Sequence, residues 1–124
     1  MSIFAKRIAA NKNLTIFGDG TQTRDFIYAG DIAEGIIKAL VTEHVNNVYN
    51  LSTQTEISLN ELVRTFGRAV KRTLTPSYTV ARDGDIYRSS LSNKKAKKYL
   101  NWQPMVTLEE GLRRTVKYFS NESN

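Results

Sequence analysis

The chain has 124 residues, 40% of them apolar and 24% charged, enough for one folded unit with a core and too few for two ordinary domains. It contains no cysteine, which excludes a disulfide framework and a thiolate metal site, and it shows neither a membrane-length apolar run nor a signal-peptide core, so a cytoplasmic protein with no membrane partner is expected. A net charge of +6 suits a nucleic-acid partner, an anionic small ligand or a solvated basic surface, and the spread of Lys and Arg over helix faces favours the last for most of them.

In chain order, Ser2–Ala10 carries Ile3, Phe4 and Ile8 opposite Lys6 and Arg7, which predicts a short helix ending at Asn11-Lys12-Asn13. Two apolar runs follow, Leu14–Phe17 and Phe26–Tyr28, read as strands around a Gly18-Asp19-Gly20 turn. Asp31-Ile32-Ala33-Glu34 has capping-box spacing and opens a helix from about Asp31 to Val41. Glu43–Asn47 is a polar loop, and its His44 is given no role.

Val48–Ser52 alternates like a strand, and Thr53–Ile57 reads as loop. Ser58-Leu59-Asn60-Glu61 is a second capping box, with Leu59, Leu62, Val63, Phe66 and Val70 along one face of a helix reaching Lys71. Thr75–Val80 predicts a short strand with Pro76 at its edge. After the charged turn Arg82–Asp85, Ser92 or Asn93 caps a short basic helix that ends near Leu100. Trp102 is expected to plug the following turn. Thr107-Leu108-Glu109-Glu110 opens a final helix with Leu108, Leu112, Val116 and Phe119 inward, and Asn121–Asn124 should fray. The expected fold class is α/β, a small mixed sheet with flanking helices, forming a single segment over residues 1–124.

The motifs for chemistry are few. Gly18-Asp-Gly20-Thr-Gln-Thr23 begins like a dinucleotide loop, but Thr23 stands where the third glycine belongs, and the loop leads into a strand rather than a helix. Arg24 and Arg82 both lie in glycine turns beside strands. Each alone reads as half of a surface ion pair, with Asp25 and Asp85 as neighbours. Converging, the two would make a diphosphate clamp.

The run Gly18–Tyr28 with Asp31-Ile32-Ala33 resembles the C-terminal part of the nucleotide-sugar epimerase/dehydratase family. These are extended short-chain dehydrogenase/reductase enzymes, typified by UDP-glucose 4-epimerase. Val48-Tyr-Asn-Leu, Ser58-Leu-Asn-Glu-Leu, Arg82-Asp-Gly-Asp, Lys95-Ala96, Leu100-Asn-Trp-Gln-Pro and Leu108-Glu-Glu-Gly-Leu follow in family order, so the likeness covers essentially the whole chain. The resemblance implies an extended Rossmann-type enzyme represented here without its dinucleotide-binding domain. It implies that Arg24 and Arg82 grip a nucleotide-sugar diphosphate, that Asp85 hydrogen-bonds the ribose, and that main-chain groups at Thr15 and Phe17 face a uracil. Ser89 would lie near the sugar and leave room for a bulky, N-acetylated one.

Two departures stand out. Ser52-Thr53-Gln54 replaces the family's Gly-Thr-Gly, and Ser92 replaces an aspartate. The family's Tyr-x-x-x-Lys pair is missing, since no tyrosine here has a lysine four places on. NAD is implied for the full-length enzyme, but no cofactor is expected on this chain. It is therefore expected to bind a UDP-sugar without catalysing, as a segment separated from its cofactor half, and to form a homo-oligomer, with exchange of elements as one route. The alternatives are a stand-alone UDP-sugar-binding or oligomerisation module and, last, a nucleic-acid binder, for which stacking motifs are lacking.

Overall fold

The computed structural model describes residues 1–121. Nine elements follow in order: α1 (Ser2–Ala9), β1 (Thr15–Phe17), β2 (Thr23–Arg24), α2 (Ala29–Val41), β3 (Ile57–Ser58), α3 (Leu59–Val70), β4 (Ser77–Thr79), α4 (Lys94–Leu100) and α5 (Leu108–Asn121). β1 and β4 pair in parallel with Thr15 opposite Ser77, while β2 and β3 pair antiparallel with Arg24 opposite Ile57. The class is α/β, as expected. No helix among the described residues is long and apolar enough to cross a membrane.

The main core lies where α1, α3 and α5 meet the inner face of β1. Ala5, Ile8, Leu14, Ile16, Leu62, Val63, Phe66, Leu112 and Val116 are all buried there. The stripe on α3 delivers Leu62, Val63 and Phe66 to it, each such side chain contributing roughly 1.5–3 kcal/mol on burial. α1 is turned slightly from its expected face: Ile8 and Ala5 are inside, and Ile3 lies on the surface. A smaller cluster of Ala96, Leu100 and Trp102 packs with Ile27, Tyr49 and Leu51. Trp102 does plug its turn, and its indole N–H donates to the Asp31 carbonyl at 2.8 Å.

Three expectations are corrected. Phe26–Tyr28 is not a strand, because the pairing lies just before it at Thr23–Arg24. Its apolar run serves packing instead, with Phe26 against the main core, Ile27 against the smaller one and Tyr28 at the N-cap of α2. Val48–Ser52 alternates, with Tyr49 and Leu51 packed inward, but it pairs with no strand among the described residues. α2 starts at Ala29, ahead of the capping box, and the Asp31 carboxylate accepts the Val106 N–H at 3.0 Å rather than capping its own helix.

The other two boxes cap as expected. Ser58 Oγ accepts the Glu61 N–H at 3.1 Å, and Thr107 Oγ1 accepts the Glu110 N–H at 3.3 Å. Asn121 closes α5, and the rest of the segment expected to fray lies outside the described residues.

Candidate functional site

A cleft of about 430 Å³ opens between the free side of β1, Arg24 of β2 and the exposed turn 82–85. Its back wall is apolar, formed by Phe4, Leu59 and Leu62. β1 can line it because only one edge of that strand is paired with another strand. The Ser77 N–H donates to the Leu14 carbonyl and the Gly18 N–H to the Thr79 carbonyl, both at 2.9 Å. Peptide groups alternate along a strand, so those of Thr15 and Phe17 face the opposite edge. The Phe17 carbonyl there accepts the Gln22 side-chain amide at 2.8 Å.

The glycine turn is built for packing. Asp19 Oδ1 accepts both the N–H and the hydroxyl of Thr21, at 2.9 and 2.6 Å, and these bonds hold the Asp19 carboxyl below the usual range. Gly20 has φ +76°, and a Cβ there would lie 2.2 Å from Asn60 Oδ1. Asn60 itself donates to the Asp19 carbonyl at 2.9 Å. The turn is therefore filled by α3 and offers no cradle for a pyrophosphate, so this loop does not fit a dinucleotide.

Arg24 donates through Nη2 to Asp85 Oδ1 at 2.6 Å and through Nη1 to the Thr23 carbonyl at 2.7 Å. It does not pair with its neighbour Asp25. That carboxylate accepts the N–H groups of Thr53 and Gln54 and the Thr53 hydroxyl, pinning the 53–54 turn. The guanidinium of Arg82 lies 3.7 Å over the centre of the Phe17 ring. Gln22, 8% exposed, donates to Asp85 Oδ2 at 3.3 Å as well as to Phe17.

The segment 82–92, here called the strap, then runs beside β2. The Thr23 N–H donates to the Tyr87 carbonyl at 2.8 Å, and the Asp25 N–H donates to the Ser89 carbonyl at 3.1 Å. Arg88 forms an ion pair with Glu56, which also accepts the Thr23 hydroxyl at 3.1 Å. Arg88 first, then Thr23, hold the Glu56 carboxyl below the usual glutamate range.

Thr15, Phe17, Arg24, Arg82 and Asp85 thus line one cleft. Ser89 stands farther along the strap, bonded to β2 and outside the cleft lining. Gln22 and the Arg88–Glu56 pair are not among the sequence-predicted residues. An uncharged amide in a turn carries no periodic or charge signal, and Glu56 is separated from Arg88 by 32 positions. One departure, at Gln54, has a local answer. Gln54 keeps a left-handed φ of +58° where the family has glycine, and its side chain accepts the Asn93 N–H at 3.2 Å.

Residues 1–115 match the family described as GDP-mannose 4,6 dehydratase. The chain is 35% identical to a UDP-glucose 4-epimerase of Mycolicibacterium smegmatis, over 99% of this chain and 39% of that protein. The crystal structure of a Thermotoga maritima UDP-glucose 4-epimerase with UDP-glucose superposes with a TM-score of 0.90 at 34% identity, over 98% of this chain and 39% of that one. A Bacillus cereus UDP-glucuronic acid 4-epimerase, solved in complex with UDP-glucuronic acid and NAD, gives 0.86 at 29% identity, over 95% and 38% of the two chains. The chain thus spans about two-fifths of the length of these relatives. A likeness that runs from α1 into α5 in both sequence and fold has one reading: this chain belongs to the extended short-chain dehydrogenase/reductase family of nucleotide-sugar epimerases and dehydratases, and it matches their C-terminal part.

Proposed function

We propose that the chain is the nucleotide-sugar-binding segment of an epimerase or dehydratase, and that its cleft takes a nucleoside diphosphate sugar, UDP-sugars first. In this reading Arg24 and Arg82 grip the diphosphate, one from β2 and one from the strap. Asp85 accepts from the ribose hydroxyls, the main-chain edge at Thr15 and Phe17 that no strand covers meets the base, and Ser89 lies toward the sugar. The observation that carries it is the presence of two guanidinium groups on one cleft beside an unpaired strand edge. The UDP-sugars bound in solved relatives support the same ligand class.

The residues of this chain bind and orient. Its glycine turn is filled by Asn60, and no tyrosine has a lysine four places on. The NAD site and the proton-moving pair therefore belong to residues outside the segment, and the chain alone is inactive. Titration calorimetry with UDP tests the binding claim. Wild type is expected to give heat, and Arg24→Ala and Arg82→Ala are each expected to bind about tenfold more weakly, the loss of one charge-assisted contact. No heat from wild type overturns the reading.

One observation favours an added role in assembly. Ile36, Ile37, Leu40 and Val41 of α2 are all more than half exposed, up to 79% at Leu40. By resemblance this helix packs on the cofactor domain, and in the chain alone the same face joins a second copy. Nucleic acid fits poorly, since Arg24, Arg64, Arg68, Arg88, Arg113 and Arg114 already have carboxylate partners.

A further inference from the structure

Gln22 is an almost fully buried amide in the wall of the cleft. Its side-chain nitrogen carries two hydrogens, and both are used. One goes to the Phe17 carbonyl at 2.8 Å and the other to Asp85 Oδ2 at 3.3 Å. The second oxygen of Asp85 accepts from Arg24 at 2.6 Å. A continuous chain of bonds therefore runs from the free edge of β1, through Gln22 and Asp85, to the guanidinium of β2. Its main chain fixes Gln22 from behind, the carbonyl accepting the Leu59 N–H at 3.2 Å at the start of α3.

We infer that Gln22 is a positioning residue of the nucleotide site: it holds the Asp85 carboxylate, and with it the strap, at a fixed place beside β1. The inference rests on the reading of the cleft given above and names a residue that the reading does not contain. Donor arithmetic explains why the residue is a glutamine. Both partners, a carbonyl and a carboxylate, only accept, so the link needs one nitrogen with two hydrogens in a plane. An ionised glutamate of the same shape offers none. In the ligand-free cleft Asp85 is held from two sides. When a phosphate claims Arg24, the carboxylate loses its arginine and keeps Gln22. Without the amide, Asp85 would follow the guanidinium or swing into solvent, because Gly84 beside it has open space and no packing.

The test separates this role from general stability. Gln22→Met keeps the volume and removes both donors. In the ligand-free protein, amide hydrogen exchange at Thr23, Asp25 and Asp85, whose N–H groups bond the strap, is expected to rise at least about fivefold, while exchange in α3 and α5 stays at the wild-type rate. UDP affinity by calorimetry is expected to fall about tenfold, roughly one hydrogen bond to a charged group, and that loss should vanish when Asp85→Ala is already present. Unchanged exchange at Thr23, Asp25 and Asp85, an equal rise in α3 and α5, or the same affinity loss in the Asp85→Ala background overturns the inference. If wild type gives no heat with UDP, the nucleotide reading fails, and the exchange measurement still decides whether Gln22 holds the strap.

Discussion

Arg24 enters any encounter with a ligand already engaged. Its partner Asp85 has a side chain 38% accessible, so the pair is worth no more than about 1 kcal/mol. A phosphate can displace it. Asp85→Ala should therefore tighten inorganic pyrophosphate a few-fold by freeing the guanidinium, yet weaken UDP, whose ribose loses an acceptor. Competition calorimetry with the two ligands reads both signs. The Glu56 carboxyl supplies a pH effect. Its folded value is lowered by Arg88, so its contribution is present above the unfolded value and is lost as pH falls through the folded one. Carbon-detected titration of Glu56 should show the depressed midpoint, and Arg88→Ala should return it to the ordinary glutamate range. The charges of the site were legible in the sequence, because Arg24, Arg82 and Asp85 sit in glycine turns. Their pairing was not. Neighbouring side chains on a strand point to opposite faces, so Asp25 turns away from Arg24 and the carboxylate arrives from 61 positions later.

The helices carry the clearest correspondence between sequence and fold. Ser58→Ala should cost about 1 kcal/mol in urea denaturation by removing the cap on α3. Because Leu59 and Leu62 form the back of the cleft, the same change should lower ligand affinity as well as the denaturation midpoint. α3 and α5 were readable because a 3.6-residue stripe and a cap agree with one another. α2 begins ahead of its capping box, and the Asp31 carboxylate is taken by the Val106 N–H, a partner 75 positions away. Phe26–Tyr28 and Val48–Ser52 look like strands in the sequence for another reason. Alternation records which side chains are packed, and Phe26, Ile27, Tyr49 and Leu51 are packed. It says nothing about whether a ladder partner stands alongside.

For the molecule as a whole, the uneven distribution of apolar surface matters most. One side of the fold buries its helices around Phe66 and Leu112, while the α2 side exposes Ile36, Ile37, Leu40 and Val41, with Val45 and Val48 beyond them. Sedimentation at micromolar concentration should show a self-associating species, and Leu40→Lys should shift it to monomer without lowering the thermal midpoint, since Leu40 is 79% exposed. A wild-type monomer at that concentration would count against the assembly role. Nothing in the hydrophobic pattern of α2 announces this exposure, because an apolar stripe reads the same whether its cover lies in the same segment or elsewhere.

The strap has a consequence for handling the protein. It presents Arg82 and Arg88 on an exposed stretch held beside β2 through the Tyr87 and Ser89 carbonyls and to Glu56 through Arg88, so trypsin should nick it well before it reaches the packed helices. A single cut after Arg82 would leave Arg24 and Asp85 on separate polypeptides joined by their ion pair and the surrounding fold. The rate of that cleavage, with and without UDP, becomes a footprint of the cleft that needs no label and no catalytic turnover.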